Sequence, residues 1–65
     1  MKIKVNGEEY QLEGSSVAQL AAQMRLPDKG VAIAVGMQMV PRSEWETTQL
    51  AEGAEIIVIK AASGG

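Results

Sequence analysis

The chain has 65 residues, 46% of them hydrophobic and 22% charged, with a net charge of −2. That length makes one domain with a thin stability margin, since about 60% of the unfolded surface is buried at this size. The acidic balance argues against a nucleic-acid backbone as partner, as do a single tyrosine and a single tryptophan against stacked bases. The sequence has no cysteine and no histidine, so disulfides, thiol chemistry, the commonest metal ligand and the usual general base are all missing. No apolar stretch is long enough to span a membrane. Met1 to Val5 lacks the apolar core of a signal peptide, so the expected compartment is the cytoplasm.

Met1, Ile3 and Val5 alternate with Lys2, Lys4 and Asn6, the pattern of a half-buried strand. Asn6-Gly7 is the dipeptide of a tight hairpin turn, and Glu8 to Glu13 resumes the alternation through Tyr10 and Leu12. Gly14-Ser15-Ser16 breaks the strand. Ser16 as N-cap with Gln19 three residues later predicts a capping box, and Val17, Leu20, Ala21 and Met24 give the following helix one apolar face. Pro27 disfavours helix at Leu26, and Asp28-Lys29-Gly30 completes the exit.

Val31 to Val35 predicts a second buried strand, larger side chains on one face and Ala32 and Ala34 on the other. Gly36-Met37 turns it into a short partner, Gln38 to Val40, which Pro41 ends because it has no N–H to give. Met37 and Met39 are expected to fill gaps in the packing. Arg42 to Trp45 predicts a single helical turn that tucks Trp45 against the body and clamps its own loop. Arg42 is either a solvated arginine or a contact for a partner's acidic patch. After the turn at Glu52-Gly53 comes Glu55 to Lys60, apolar from Ile56 to Ile59 as a strand with neighbours on both sides would be. A mixed sheet of four to five strands around one main helix, with the last strand central and beside the first, is an α+β, β-grasp (ubiquitin-like) fold. It occupies residues 1–60, and residues 61–65 form a tail with no side chain large enough to anchor it.

The residues that close the chain change meaning on such a fold. A central last strand fixes the point from which Ala61-Ala62-Ser63-Gly64-Gly65 departs, so a bare diglycine is held out from a rigid edge. The strand ending in Asn6, the Gly14-Ser15-Ser16-Val17 helix start, the Val40-Pro41-Arg42-Ser43-Glu44-Trp45 block, the approach Glu52 to Ile56 and the terminal Gly64-Gly65 together resemble the small sulfur carriers of thiamine biosynthesis, the ThiS family. The resemblance spans essentially the whole chain, and the Val-Pro-Arg…Trp block is its most specific part. Ser63 departs from it, standing where the family often has a small apolar residue.

The resemblance implies a carrier rather than an enzyme. A ubiquitin-activating-like (ThiF-type) adenylyltransferase would use ATP and Mg²⁺ to convert the Gly65 carboxylate to an acyl-adenylate. A persulfide donor, typically a cysteine desulfurase, would replace AMP and leave a thiocarboxylate, and a thiazole synthase (ThiG-type) would take the sulfur. The chemistry suits these residues. An α-carboxyl group, with a reference pKa of about 3.5, is ionised at neutral pH and attacks phosphorus without a base from its own chain. Gly64, with Ser63 before it, lets the tail lie extended in a narrow channel.

Partner docking is expected at Ile57, Ile59 and Ala62, with Ile56 and Val58 turned toward the helix. A slip of one residue would exchange the two sets. No cofactor or metal is expected to be resident. The same tail chemistry would serve the small subunit of molybdopterin synthase, a ubiquitin-like modifier would end in an isopeptide bond, and a plain interaction domain would carry an inert tail.

Overall fold

Asn6 and Gly7 take φ values of 53° and 85°, the left-handed pair of a type I′ turn, and join β1 (Lys2–Val5) to β2 (Glu8–Gln11) as an antiparallel hairpin. The structure is a computed structural model that describes residues 1–27 and 29–60. Leu12 lies just past the end of β2 yet is buried. Its backbone N–H donates to the Met1 carbonyl and its carbonyl accepts from the Met1 ammonium, each at 2.8 Å.

Helix α1 (Val17–Gln23) begins at the predicted capping box. The Gln19 N–H donates to Ser16 Oγ at 3.1 Å, and the Ser16 N–H donates back to Gln19 Oε1 at 3.0 Å. Gly14 makes room for that exchange, since a Cβ there would sit 2.7 Å from Gln19 Oε1. The next two N–H groups, which a helix cannot satisfy internally, find carbonyls in a distant loop: Val17 donates to Thr48 at 3.0 Å and Ala18 to Trp45 at 2.9 Å.

The helix ends at Gln23, three residues short of the break expected at Leu26 before Pro27. Arg25 turns left-handed at φ 57°, the Arg25 N–H donates to the Ala22 carbonyl at 3.1 Å, and the Leu26 N–H to Ala21 at 3.0 Å. These bonds are the Schellman ending, with arginine where glycine is usual. The predicted exit residue Asp28 lies outside the described residues.

β3 (Val31–Val35) and β4 (Gln38–Val40) form a second antiparallel hairpin about Gly36-Met37. One 3₁₀ turn follows at Arg42–Glu44. Trp45 is buried behind it, and its Nε1–H donates to the Val40 carbonyl at 2.9 Å, so the side chain does close its own loop. β5 (Glu55–Lys60) runs parallel to β1 and antiparallel to β3, giving the sheet order β2-β1-β5-β3-β4. The strand last in the chain is therefore the middle strand of the sheet, and the architecture is a β-grasp.

The core lies between α1 and one face of the sheet, where Ile3, Leu12, Val17, Leu20, Ile33 and Ile56 are almost wholly enclosed. At about 25 cal/mol per Å² of apolar surface removed from water, these side chains supply the main cohesion of so small a domain. Met37 and Met39 are not among them. Met37 is fully exposed at the tip of the second hairpin and Met39 is 57% exposed, which corrects their expected packing role. The two-residue turn explains why: it sets Val35 opposite Gln38 and Ala34 opposite Met39, turning Met39 to the face that α1 does not cover.

Candidate functional site: the open sheet face and the exit of the last strand

Period-two alternation along β5 sends Ile56 and Val58 into the core, leaving Ile57 42% and Ile59 53% exposed on the opposite face. The side chains thus point as expected, without the one-residue slip. The register assembles their surroundings. Ile57 lies opposite Ala34, which lies opposite Met39, and Ile59 lies opposite Ala32. One aliphatic row, of Ile57, Ala34 and Met39, therefore runs from the centre of the sheet to the β4 edge, and a second, of Ile59 and Ala32, reaches β3. Flanked in this way by Ile57 and Met39, Ala34 is itself buried on a face with no helix above it.

The other half of the same face is charged. Lys4 of β1 lies opposite Glu55 on one side and Glu9 on the other, and Lys2 lies opposite Gln11. Alternation also explains this, because Lys2 and Lys4 are the outward partners of the buried Ile3 and Val5. The open face is thus half aliphatic and half polar, the composition of an interface core beside a rim.

Two ladders hold β5 up to the point where it leaves the sheet. On the β3 side, pairing runs from Val35 with Ile56 to Val31 with Lys60. On the β1 side the backbone ladder ends at the hairpin turn, where the Asn6 N–H donates to the Ile56 carbonyl at 2.8 Å. The Asn6 side chain then continues it. The Val58 N–H donates to Asn6 Oδ1 at 2.9 Å, and Asn6 Nδ2 donates to the Val58 carbonyl at 3.2 Å. A side-chain amide here takes the place of a peptide group.

Of the expected site residues, Ile57 and Ile59 stand together on the open face. Ala62, Ser63, Gly64 and Gly65 lie outside the described residues. Met39 joins the aliphatic patch although it was expected to be a packing residue. Its place was implicit in the sequence, because a two-residue Gly36-Met37 turn puts Met39 opposite Ala34. Asn6 was read only as a turn residue, and no local pattern announces its bond to a residue 52 positions away. Arg42 stacks over the Trp45 ring at 4.3 Å from its centroid and donates from Nη2 to the Pro27 carbonyl at 3.2 Å, which ties it to its own chain.

Among the described residues there is no cluster of carboxylates suited to a metal ion, and no helix is long and apolar enough to cross a membrane.

The sequence pattern of the ThiS family matches residues 3–65. The sulfur carrier protein ThiS of Escherichia coli (strain K12) is 30% identical over 66 aligned positions that cover all of both chains. The crystal structure of the thiamine biosynthesis protein ThiS from Geobacter metallireducens superposes with a TM-score of 0.81 over the whole of both chains at 20% identity, a likeness of fold. With the family pattern running through all but the first two residues, on a fold that family shares, this chain belongs to the ThiS family.

Proposed function

We propose that this protein carries sulfur for thiazole formation in thiamine biosynthesis, and that its working group is the carboxylate of Gly65. The observation that carries the reading is the family match through residue 65, with a central strand that ends at Lys60, five residues before the closing glycine. The chain is a co-substrate rather than a catalyst. Without histidine or cysteine, it is suited to presenting a group that other proteins transform.

In this reading a carboxylate oxygen of Gly65 attacks the α-phosphorus of ATP in a ThiF-type adenylyltransferase, and pyrophosphate leaves. The partner and its Mg²⁺ supply the positioning and charge neutralisation that phosphoryl chemistry needs. A persulfide sulfur from a cysteine desulfurase or similar donor then attacks the acyl carbon, and AMP leaves. Cleavage of the sulfur–sulfur bond by a second thiol leaves a thiocarboxylate, which a ThiG-type thiazole synthase consumes. Gly64 and Ser63 keep the tail narrow enough for the nucleotide site. The aliphatic patch around Ile57 and Ile59, with Ala62 beyond it, is the docking surface for the activating partner. Burial of such a patch is the ordinary source of association energy.

The experiment is the intact mass after incubation with an activating enzyme, ATP and a persulfide donor, followed by a thiol-selective alkylator. The chain has no cysteine, so a label gained by the full chain and absent when Gly65 is deleted places a thiocarboxylate at that carboxyl group. An unlabelled chain beside a competent enzyme, or an adduct with the mass of a second protein, would overturn the reading.

A further inference from the structure

A second surface lies on the helix side of the molecule, away from the open sheet face. Between the end of α1 and the 3₁₀ turn runs an open groove of about 550 Å³, with Ala18, Ala21 and Ala22 along its floor and Arg25, Arg42 and Glu46 at its rim. Arg25 occupies the position of the Schellman ending where glycine is the ordinary choice, at φ 57°. A Cβ is disfavoured in that conformation, and strain kept at a non-glycine residue points to a side chain wanted in that place. Arg42 is held as well. Its guanidinium lies against the Trp45 ring, and the bond to the Pro27 carbonyl uses one of its five N–H donors. The charge is locally reversed: two of the six cationic side chains of a molecule with net charge −2 stand at this groove beside the carboxylate of Glu46.

We propose that this groove docks an acidic peptide segment of a partner protein, whose carboxylates are received by the guanidinium forks of Arg25 and Arg42. The methyl floor lets the peptide backbone lie close to the helix. Because the groove is on the helix side, its occupant leaves Ile57, Ile59 and the exit of β5 uncovered. A partner bound here therefore holds the carrier while another works at the sheet face. The inference goes beyond the sulfur-carrier reading and does not depend on it.

The test is titration of the isotopically labelled full chain with N-acetylated hexaglutamate amide, followed by amide and indole NMR shifts. The shifts are expected to cluster at Ala18, Ala22, Arg25 and the Trp45 indole N–H and to shrink as salt is added. Binding should be about tenfold weaker in Arg25→Gly and partly restored in Arg25→Lys. Arg25→Gly should also melt at a higher temperature than the parent, since it relieves the left-handed strain. A gain in stability with a loss of binding is what a purely structural arginine would not show.

The proposal is overturned if Arg25→Gly binds as the parent does, if it melts lower, or if no shifts appear. Shifts centred on Lys2 and Lys4 would place the acidic ligand on the sheet instead. Tighter binding of inorganic tripolyphosphate than of hexaglutamate would make the groove a phosphate site.

Discussion

Asn6 serves the turn and the sheet with one residue. Its backbone adopts the left-handed conformation that asparagine tolerates better than other side chains, and its amide pairs with both polar backbone groups of Val58. Asn6→Gly separates the two roles, because glycine keeps the turn and removes both bonds. Each bond is worth on the order of 1 kcal/mol. The variant is expected to lose about 2 kcal/mol in urea unfolding and to show faster hydrogen exchange at the Val58 amide. A stability unchanged from the parent would mean that water replaces the amide without loss. Half of this residue was legible in the sequence: Asn-Gly announces the turn by local sterics. The other half was not, because a hydrogen bond across 52 positions exists only once β5 lies beside β1.

Among the elements, α1 is the one least able to stand alone. Seven residues are far below the ~12 that an isolated helix needs in water. Its start is fastened by the capping box and by the carbonyls of Trp45 and Thr48, and its apolar face is buried against the sheet. Ser16→Ala removes the side-chain acceptor of the box and is expected to cost about 1 kcal/mol, measured by thermal or urea unfolding. Ser16→Asp, which keeps an acceptor, should cost less. The start was readable because capping is a matter of three or four neighbouring residues. The helix ends at Gln23, ahead of the break that Pro27 marks at Leu26, and the sequence at Arg25 contains no glycine or asparagine to announce the left-handed turn. On either side of that turn Ala21 lies in the core and Leu26 packs against it, whereas the local backbone preference of arginine opposes the turn.

At the scale of the whole molecule, the sheet separates cohesion from contact. One face buries the core under α1, and the other presents Ile57, Ile59, Ala32 and Met39 beside a charged half. Ile57→Glu places a carboxylate in that patch without touching the core. The variant should fold with a stability within about 1 kcal/mol of the parent, the span of β-propensity effects. Its rate of adenylation at limiting concentration should fall about tenfold or more, because a buried charge at an interface core is poorly solvated. A folded variant adenylated at the parental rate would remove this face from the docking surface and leave the carrier chemistry standing.

Residue order alone was enough for whatever depends on near neighbours. It marked the two hairpins by their turn dipeptides and the helix start by its cap. The composition also ruled out histidine and cysteine chemistry. Folding was needed for whatever depends on residues far apart in the chain. It settled which of the four apolar residues of β5 face inward, brought Met39 beside Ile57 through Ala34, and supplied Asn6 as a substitute peptide group. It also placed Arg25 and Arg42 on one groove. The division follows from the range of the forces. Backbone sterics and capping act within a few residues, whereas sheet register and the surfaces it creates are settled by burial of the whole core at once.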